Sequence, residues 1–310
     1  MKDFQSYSPE NAIEENLRET ALRMNMIAEQ ELAHLREFAA EITSDSSEHP
    51  DWIASLPDNS PPQFASASSP LNQNVEAVSQ MGQLRNLWQR LRLCKEIRKN
   101  LEEKNLLSYA FFFPEIEEAP QKELCRVAYQ RNSYADSAYW QFSKILQDPR
   151  VSYAHSFIAA CEDVYNGICE YCILPVESSA EGQLNSFSRL IERFDLKIAA
   201  TCEVSGTDAS KVTRFALLSR DLSVMLQKGK QTFFEFAAPV GGSPSTAALL
   251  SVAELCGLEL YRVDSLPASA PHRFSSHYLF LADQGDLYTY LIYLAMEAPH
   301  YDPIGIYSHL

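Results

Sequence analysis

The stretch EVSGTDASKVTRF, from Glu203 to Phe215, decides how the middle of the chain folds. Its first residues end the apolar run LKIAATCEV, and its last three begin the run VTRFALLSRD. The polar residues SGTDASKV between the two runs include glycine, serine and aspartate, which are typical of turns. We therefore expect a strand, a short turn and a second strand. On the second strand Thr213 and Phe215 would share one face and Arg214 the other.

The segments around this stretch show a regular order of short strands and helices. From residue 125 to residue 222 strands alternate with helices, which is the pattern of an α/β layer. From residue 230 to residue 310 the order is strand, helix, strand, strand, helix, strand, the βαββαβ arrangement of ferredoxin-like domains. The sequence therefore predicts an α/β lobe over 125–222 and an α+β domain over 230–310.

The first 108 residues differ from the rest in composition. Residues 1–44 predict one long helix that begins after Ser8, with proline and glutamate in its first turn. Residues 45–71 are rich in proline and serine and predict a linker. Residues 72–108 predict a basic helix, which carries Arg85, Arg90, Arg92, Lys95, Arg98 and Lys99. This basic face either pairs with the acidic first helix or forms an anion-binding patch.

Composition limits the classes of partner. The net charge of −15 argues against a general nucleic-acid or anionic-membrane partner. No apolar run is long enough to span a bilayer, and Met1 is followed by polar residues rather than by a signal peptide. The seven cysteines are an odd number and lie mostly in apolar runs, which indicates buried thiols in a reducing cytoplasm. No set of residues has the spacing of a metal site, so we expect no metal.

Three motifs together resemble the prephenate dehydratase family. They are VAYQRNSYADSA at 127–138, CEDVYNGICEYCILPVESSAEGQLN at 161–185 and VTRFALLSRD at 212–221. The tail is similar to the ACT domain that usually follows, through VDSLP, HYLFLAD and IGIYS. The resemblance covers about residues 125–310. It implies a lobe like that of a periplasmic binding protein, followed by an ACT-like domain of aromatic amino acid (phenylalanine) metabolism.

The resemblance also implies a reaction and a set of site residues. The family is a lyase that converts prephenate to phenylpyruvate, carbon dioxide and water, and it needs no cofactor. Thr213 would be the oriented hydrogen-bond donor to the leaving hydroxyl group. By the same resemblance the catalytic set would be Thr213, Glu177, Ser178 and Ser179, and the substrate-binding set would be Ser133, Arg214 and Phe215.

The sequence departs from the family pattern in three places. The first loop, QRNSYA, lacks the glycines that let backbone N–H groups approach an anion. In PVESSAEG, Ser178 stands for asparagine, Ala180 for serine and Glu181 for alanine. The family builds a second lobe between the strands that SGTDASKV joins here. We therefore expect a catalytically impaired sensor or interaction module. The alternative is a working dehydratase whose cleft is rebuilt by the N-terminal helices or by a partner subunit.

The ACT-like tail suggests a second kind of site. ACT dimers of this family bind phenylalanine between subunits, which would provide allosteric regulation. The corresponding regulatory ligand-binding residues here would be Ser245, Thr246, Asp264 and Ser265. We expect a homodimer and a small aromatic ligand, either prephenate or a phenylalanine-like molecule. The alternative is a tail that is retained for dimerisation alone.

Overall fold

The structure is a computed structural model. It describes residues 32–37, 39–40, 72–113, 116, 125–206, 211–242, 244–267, 274–298 and 300–310. The described residues up to Leu107 belong to one compact unit, and Ser108–Leu310 belongs to another. The expected helix start near Ser8 and the linker over 45–71 lie outside the described residues.

The first unit is helical where it is described. Residues 32–37 and 39–40 are helical, and helix α1 spans Asn72–Glu103. Arg36 of the first helical segment lies 3.4 Å from the Glu96 carboxylate of α1. Arg98 and Lys99 each lie 3.8 Å from a glutamate one turn further along α1. These contacts favour a solvated helix face with ion pairs over an anion-binding patch.

The second unit contains the expected α/β order. Its elements are α2 (Tyr109–Phe112), β1 (Cys125–Gln130), α3 (Ser133–Phe142), β2 (Pro149–Ala154), α4 (Phe157–Tyr165), β3 (Tyr171–Ser178), β4 (Gly182–Gln183), α5 (Asn185–Arg193), β5 (Lys197–Ser205) and β6 (Val212–Ser219). The tail adds β7 (Gln231–Pro239), α6 (Thr246–Leu255), β8 (Glu259–Pro267), β9 (Phe274–Leu281), α7 (Leu287–Glu297) and β10 (Asp302–His309). The expected strands and helices of 125–310 are present, with ends that differ by a few residues.

Side-chain caps fix where the helices of the lobe begin. The Asn132 side chain accepts a hydrogen bond from the Ala135 N–H at 2.8 Å and starts α3. Ser156 accepts from the Ala159 N–H at 3.1 Å and starts α4 in the same way. Such caps satisfy N–H groups that have no partner inside the helix. Gly167, with φ +71°, follows α4 and allows the chain to turn into β3.

The strands of the lobe and of the tail form one sheet. Its order is β2-β1-β3-β6-β5-β10-β7-β9-β8, and β4 pairs with β3. β1 is parallel to β2 and β3, whereas β6 is antiparallel to β3 and β5. The link between lobe and tail is β10, which is parallel to β5 and antiparallel to β7. The mixed α/β fold class is confirmed, and the division into domains at 125–222 and 230–310 stays a prediction.

Each face of the sheet carries a separate core. One core includes Phe142 of α3 and Phe215 of β6. The other combines lobe residues such as Cys172 with tail residues such as Phe233 and Leu279. On this second face the edge strand β8 reaches back over the lobe, because Arg262 Nη1 lies 3.4 Å from Glu177 Oε2 of β3. The sheet is therefore strongly curved, as large twisted sheets are. In the described part of the chain, no helix has the length and apolar character needed to span a membrane.

Candidate functional site

The stretch 203–215 forms a tight β-hairpin between β5 and β6. Val204 and Thr213 are direct partners across the two strands. The Gly206 N–H donates a hydrogen bond to the Lys211 carbonyl at 2.9 Å, so only residues 207–210 connect the strands beyond that bond. β6 therefore follows β5 directly as its antiparallel neighbour, as expected, and the connection between them is too short to form a lobe.

The expected catalytic residues Thr213, Ser178 and Ser179 lie together at the end of β3. Thr213 is the cross-strand partner of Ser178. The Ser178 hydroxyl accepts a hydrogen bond from the Ala180 N–H at 3.3 Å, and the Ser179 hydroxyl accepts one from the Val212 N–H at 3.0 Å. The first bond lies within the turn that follows β3, and the second holds that turn against β6. The Thr213 hydroxyl forms no side-chain hydrogen bond with any residue in the described ranges.

The three residues of the Thr-Arg-Phe motif divide between the two faces of the sheet, as the sequence predicts. Phe215 is buried in the core that α3 covers. Ser133, at the start of α3, is exposed. Arg214 lies on the opposite face, where it meets the tail. The structure therefore separates Arg214 from Thr213, although the two are neighbours in sequence.

Arg214 is held by three partners on that face. Its Nη1 donates to Glu177 Oε2 at 3.0 Å, and its Nη2 donates to Glu203 Oε1 and to Tyr261 Oη, each at 3.0 Å. The guanidinium group also lies over the Tyr261 ring, 5.3 Å from its centre. Burial lowers the pKa of Arg214, but the hydrogen bonds and the charge of Glu177 outweigh burial and raise the pKa overall. The positive charge of Arg214 is therefore already balanced by carboxylates.

The curved face forms a half-open cavity of about 460 Å³ between the lobe strands and the tail strands. Its volume lies within the range of pockets that hold small organic molecules. Apolar side chains from both parts line it, among them Val176, Ile191, Ile198, Ala237, Leu279 and Ile304. The charged lining side chains are Glu177, Glu192, Asp195, Lys197, Arg214, Glu235, Arg262 and Asp302. Five of these are carboxylates and three are cations, so the lining carries an excess of negative charge.

The other two lining cations are also paired. Lys197 Nζ lies 2.9 Å from Asp195 and 2.8 Å from Asp302. Burial lowers the Lys197 pKa, and the bonds to the two aspartates outweigh burial and raise the pKa overall. Arg262 Nε lies 2.6 Å from the Asp264 carboxylate. Each of the three lining cations therefore has at least one carboxylate partner.

Glu235 is the buried carboxylate of this lining. It lies in the middle of β7 and is only 7% exposed. Its Oε2 accepts a hydrogen bond from the Tyr307 hydroxyl at 3.0 Å. Burial and the charge of Glu235 raise the pKa of Tyr307 well above its usual value, which keeps the hydroxyl a neutral donor. In the described part of the chain, no cation forms an ion pair with Glu235.

The four expected regulatory residues lie on different parts of the tail. The Ser245 hydroxyl caps α6 by accepting from the Ala248 N–H at 3.3 Å. Thr246 Oγ1 lies 2.9 Å from Tyr278 Oη on the helix-covered face. Asp264 pairs with Arg262 on the cavity face. Ser265, the next residue of β8, is exposed. The structure therefore does not bring Thr246 and Asp264 into one site within the chain.

Sequence reasoning missed the tail residues that line the cavity or contact Arg214. Among them are Glu235, Tyr261, Arg262 and Tyr307. One signal was available for Glu235, since it is the single charged residue in QTFFEFAAP, an apolar run that predicts a buried strand. Nothing in the sequence indicates that Arg262 reaches Glu177, because that contact depends on the curvature of the whole sheet.

No family model and no curated protein matches the chain. Among solved structures it is similar to prephenate dehydratase from Streptococcus mutans, with 17% identity and a TM-score of 0.47 over 60% of this chain and 98% of that one. It is similar to prephenate dehydratase from Arthrobacter aurescens, solved in complex with L-Phe, with 13% identity and a TM-score of 0.45 over 59% and 90% of the two chains. It is also similar to GqqA, described as a novel type of quorum quenching acylase, with 17% identity and a TM-score of 0.46 over 60% and 94%. The expected resemblance to prephenate dehydratases is thus found among solved structures.

Proposed function

We propose that this protein is a prephenate dehydratase-like protein that binds a small molecule of aromatic amino acid metabolism and does not catalyse the dehydration. The observation that carries this proposal is the β5–β6 hairpin. In the described part of the chain, no second lobe stands between β5 and β6 to cover Thr213. The reaction needs a hydroxyl donor and positive charge on the same side of one substrate, and the alternation of β6 places Thr213 and Arg214 on opposite faces.

The electrostatics of Arg214 support the absence of catalysis. Prephenate carries two negative charges, so an enzyme must compensate them with donors or cations already in place. Arg214 is engaged by Glu177 and Glu203, and the loop before Ser133 contains no glycine. An open surface also leaves the substrate hydrated, which weakens each electrostatic contact.

The proposed binding role rests on the cavity of about 460 Å³. A ligand there would contact the lobe and the tail at once and would stabilise their packing. A ligand that binds only the folded state raises the melting temperature, and the rise grows with the logarithm of the ligand concentration above its dissociation constant. Ligand binding alone would therefore change the stability of the folded protein.

We also propose that the protein is a cytoplasmic homodimer. All seven cysteines are buried and none of them forms a disulfide bond, which suits a reducing compartment. β8 lies at the edge of the sheet and exposes Leu260, Tyr261 and Val263, which suits pairing between two copies. Light scattering of the purified chain would give the mass, and a monomer at micromolar concentration would contradict the dimer.

The test of the proposed function is phenylpyruvate formation from prephenate by the purified full chain. We expect the spontaneous rate, and we expect Thr213→Ala to give the same rate. Thr232→Ala, a change on β7, is the matched control. Turnover above the spontaneous rate that Thr213→Ala abolishes and Thr232→Ala retains would overturn the proposal. It would favour a cleft rebuilt by the N-terminal helices or by a partner subunit.

A further inference from the structure

We propose that the cavity binds an organic cation, a primary amine attached to an apolar body, with Glu235 as its counter-ion. This inference rests on the proposed function only in treating the protein as one that binds a small molecule. The ligand would be positively charged, Glu235 would recognise its ammonium group, and the cavity would be its binding site.

Glu235 is a buried carboxylate without an ion pair in the described part of the chain. A buried carboxylate is costly unless hydrogen bonds and an opposite charge compensate it. Glu235 has the hydrogen bond from Tyr307 and, among the described residues, no ion pair. An ammonium group of a ligand would supply both a charge and donors at this position.

The lining cations already have carboxylate partners. Lys197, Arg214 and Arg262 each contact at least one carboxylate at 3.0 Å or less. The lining carries more carboxylates than cations, so a ligand anion would meet net repulsion. A zwitterion would gain at its ammonium group and lose at its carboxylate. The charge of the cavity therefore selects a cation over a zwitterion, and a zwitterion over an anion.

Apolar side chains line the cavity next to Glu235. Leu279 is the direct cross-strand neighbour of Glu235, and both line the cavity. Ala237 on the same strand and Ile304 on the neighbouring strand β10 continue the apolar surface. A ligand with an ammonium group at one end and a ring or short aliphatic chain beyond it would match this arrangement.

The experiment uses three probes that share a phenyl ring on a short carbon chain and differ in charge. They are 2-phenylethylamine as the cation, L-phenylalanine as the zwitterion and 3-phenylpropionate as the anion. Binding to the full chain is measured by calorimetry and by the shift in melting temperature. We expect saturable binding of 2-phenylethylamine, and affinities for the other two probes that are lower by at least about tenfold.

Two variants locate the site. Glu235→Gln keeps the size of the side chain and should weaken 2-phenylethylamine binding by roughly 10- to 100-fold. Glu254→Gln removes an exposed carboxylate on α6 and should leave binding unchanged. Should Glu235→Gln fail to fold, Leu279→Trp fills the cavity beside an intact Glu235 and should also abolish binding. Circular dichroism confirms that each variant is folded.

The outcomes separate this inference from the proposed function. Equal or tighter binding of L-phenylalanine or 3-phenylpropionate would overturn the cation assignment and leave a small-molecule-binding protein. Unchanged amine binding in Glu235→Gln would also overturn the cation assignment. So would the absence of 2-phenylethylamine binding at about 10 mM, because even millimolar affinity is detected at that concentration. Turnover of prephenate would contradict the proposed function without bearing on the amine.

Discussion

At position 214 an arginine bridges carboxylates on the strands at either side of it. Glu177 of β3, Arg214 of β6 and Glu203 of β5 are cross-strand neighbours on one face of the sheet. The planar guanidinium group reaches both carboxylates and also the Tyr261 hydroxyl of β8. One side chain thus joins three lobe strands to the edge of the tail.

We predict that Arg214→Lys lowers the free energy of unfolding by about 1 kcal/mol. Lysine keeps the charge, but one ammonium group cannot replace a fork of donors that serves three partners. Arg220→Lys is the matched control, because Arg220 is 58% exposed and pairs with Asp221 next to it in sequence. Urea titration of both variants measures the difference. Equal midpoints for the two variants would show that the Arg214 network adds little to stability.

The alternation at residues 213–215 was predictable, whereas the partners of Arg214 were only partly so. Strand geometry alone places Thr213 and Phe215 on one face and Arg214 on the other. The resemblance directed attention to Glu177, which is a direct partner. Tyr261 is distant in sequence, and no local pattern predicts its contact with Arg214.

At the scale of elements, β10 connects the lobe to the tail. Gly305 of this strand lies where a Cβ atom would come within 2.6 Å of the Ile198 carbonyl oxygen and 2.8 Å of the Tyr307 ring. A β-bulge between Pro303 and Gly305 accompanies this close approach. The join between β5 and β10 therefore depends on the absence of a side chain at 305.

We predict that Gly305→Ala destabilises the protein by about 1–3 kcal/mol, the usual cost of overpacking. The added methyl group must displace a backbone carbonyl, which has little freedom to move. Gly242→Ala is the control, because its nearest atom would be at 3.3 Å and it lies in a turn. Thermal unfolding followed by circular dichroism measures both changes. A smaller loss for Gly305→Ala than for Gly242→Ala would contradict the tight β5–β10 contact.

Most elements follow from local signals, and their assembly does not. Short segments of sequence predict helix caps such as Asn132 and the βαββαβ order of the tail. The parallel pairing of β10 with β5 joins residues about a hundred positions apart. Register over such a distance is set by packing, so the sequence predicts two domains without indicating a shared sheet.

At the scale of the whole molecule, the curvature of that sheet creates the candidate site. Arg262 contacts Glu177 because β8 bends back over β3. Charged residues from separate strands then line one cavity with Glu235. No pair of neighbouring strands contains this site, so it belongs to the fold of residues 108–310 as a unit.

The segment of that unit from Ser108 onward begins with the aromatic residues around α2. Phe111 and Phe113 are buried, and Tyr109 stacks on Tyr288 of α7 with ring centres 5.0 Å apart. We predict that a chain of residues 108–310 folds cooperatively. A chain of residues 125–310 should melt roughly 5–10 °C lower, because it loses the burial of two phenylalanine side chains.

The control for this comparison is Tyr288→Leu in the chain of residues 108–310. It removes the ring stack on Tyr109 and keeps an apolar side chain at 288, so its loss should be smaller than that of the deletion. Equal melting temperatures for the two chains would show that the α2 segment contributes no packing energy. Failure of residues 108–310 to fold, while the full chain folds, would show that the unit depends on the helices that precede it. Retention of amine binding by the folded shorter chain would place the whole cation site within the curved sheet, since each lining residue lies between positions 176 and 307.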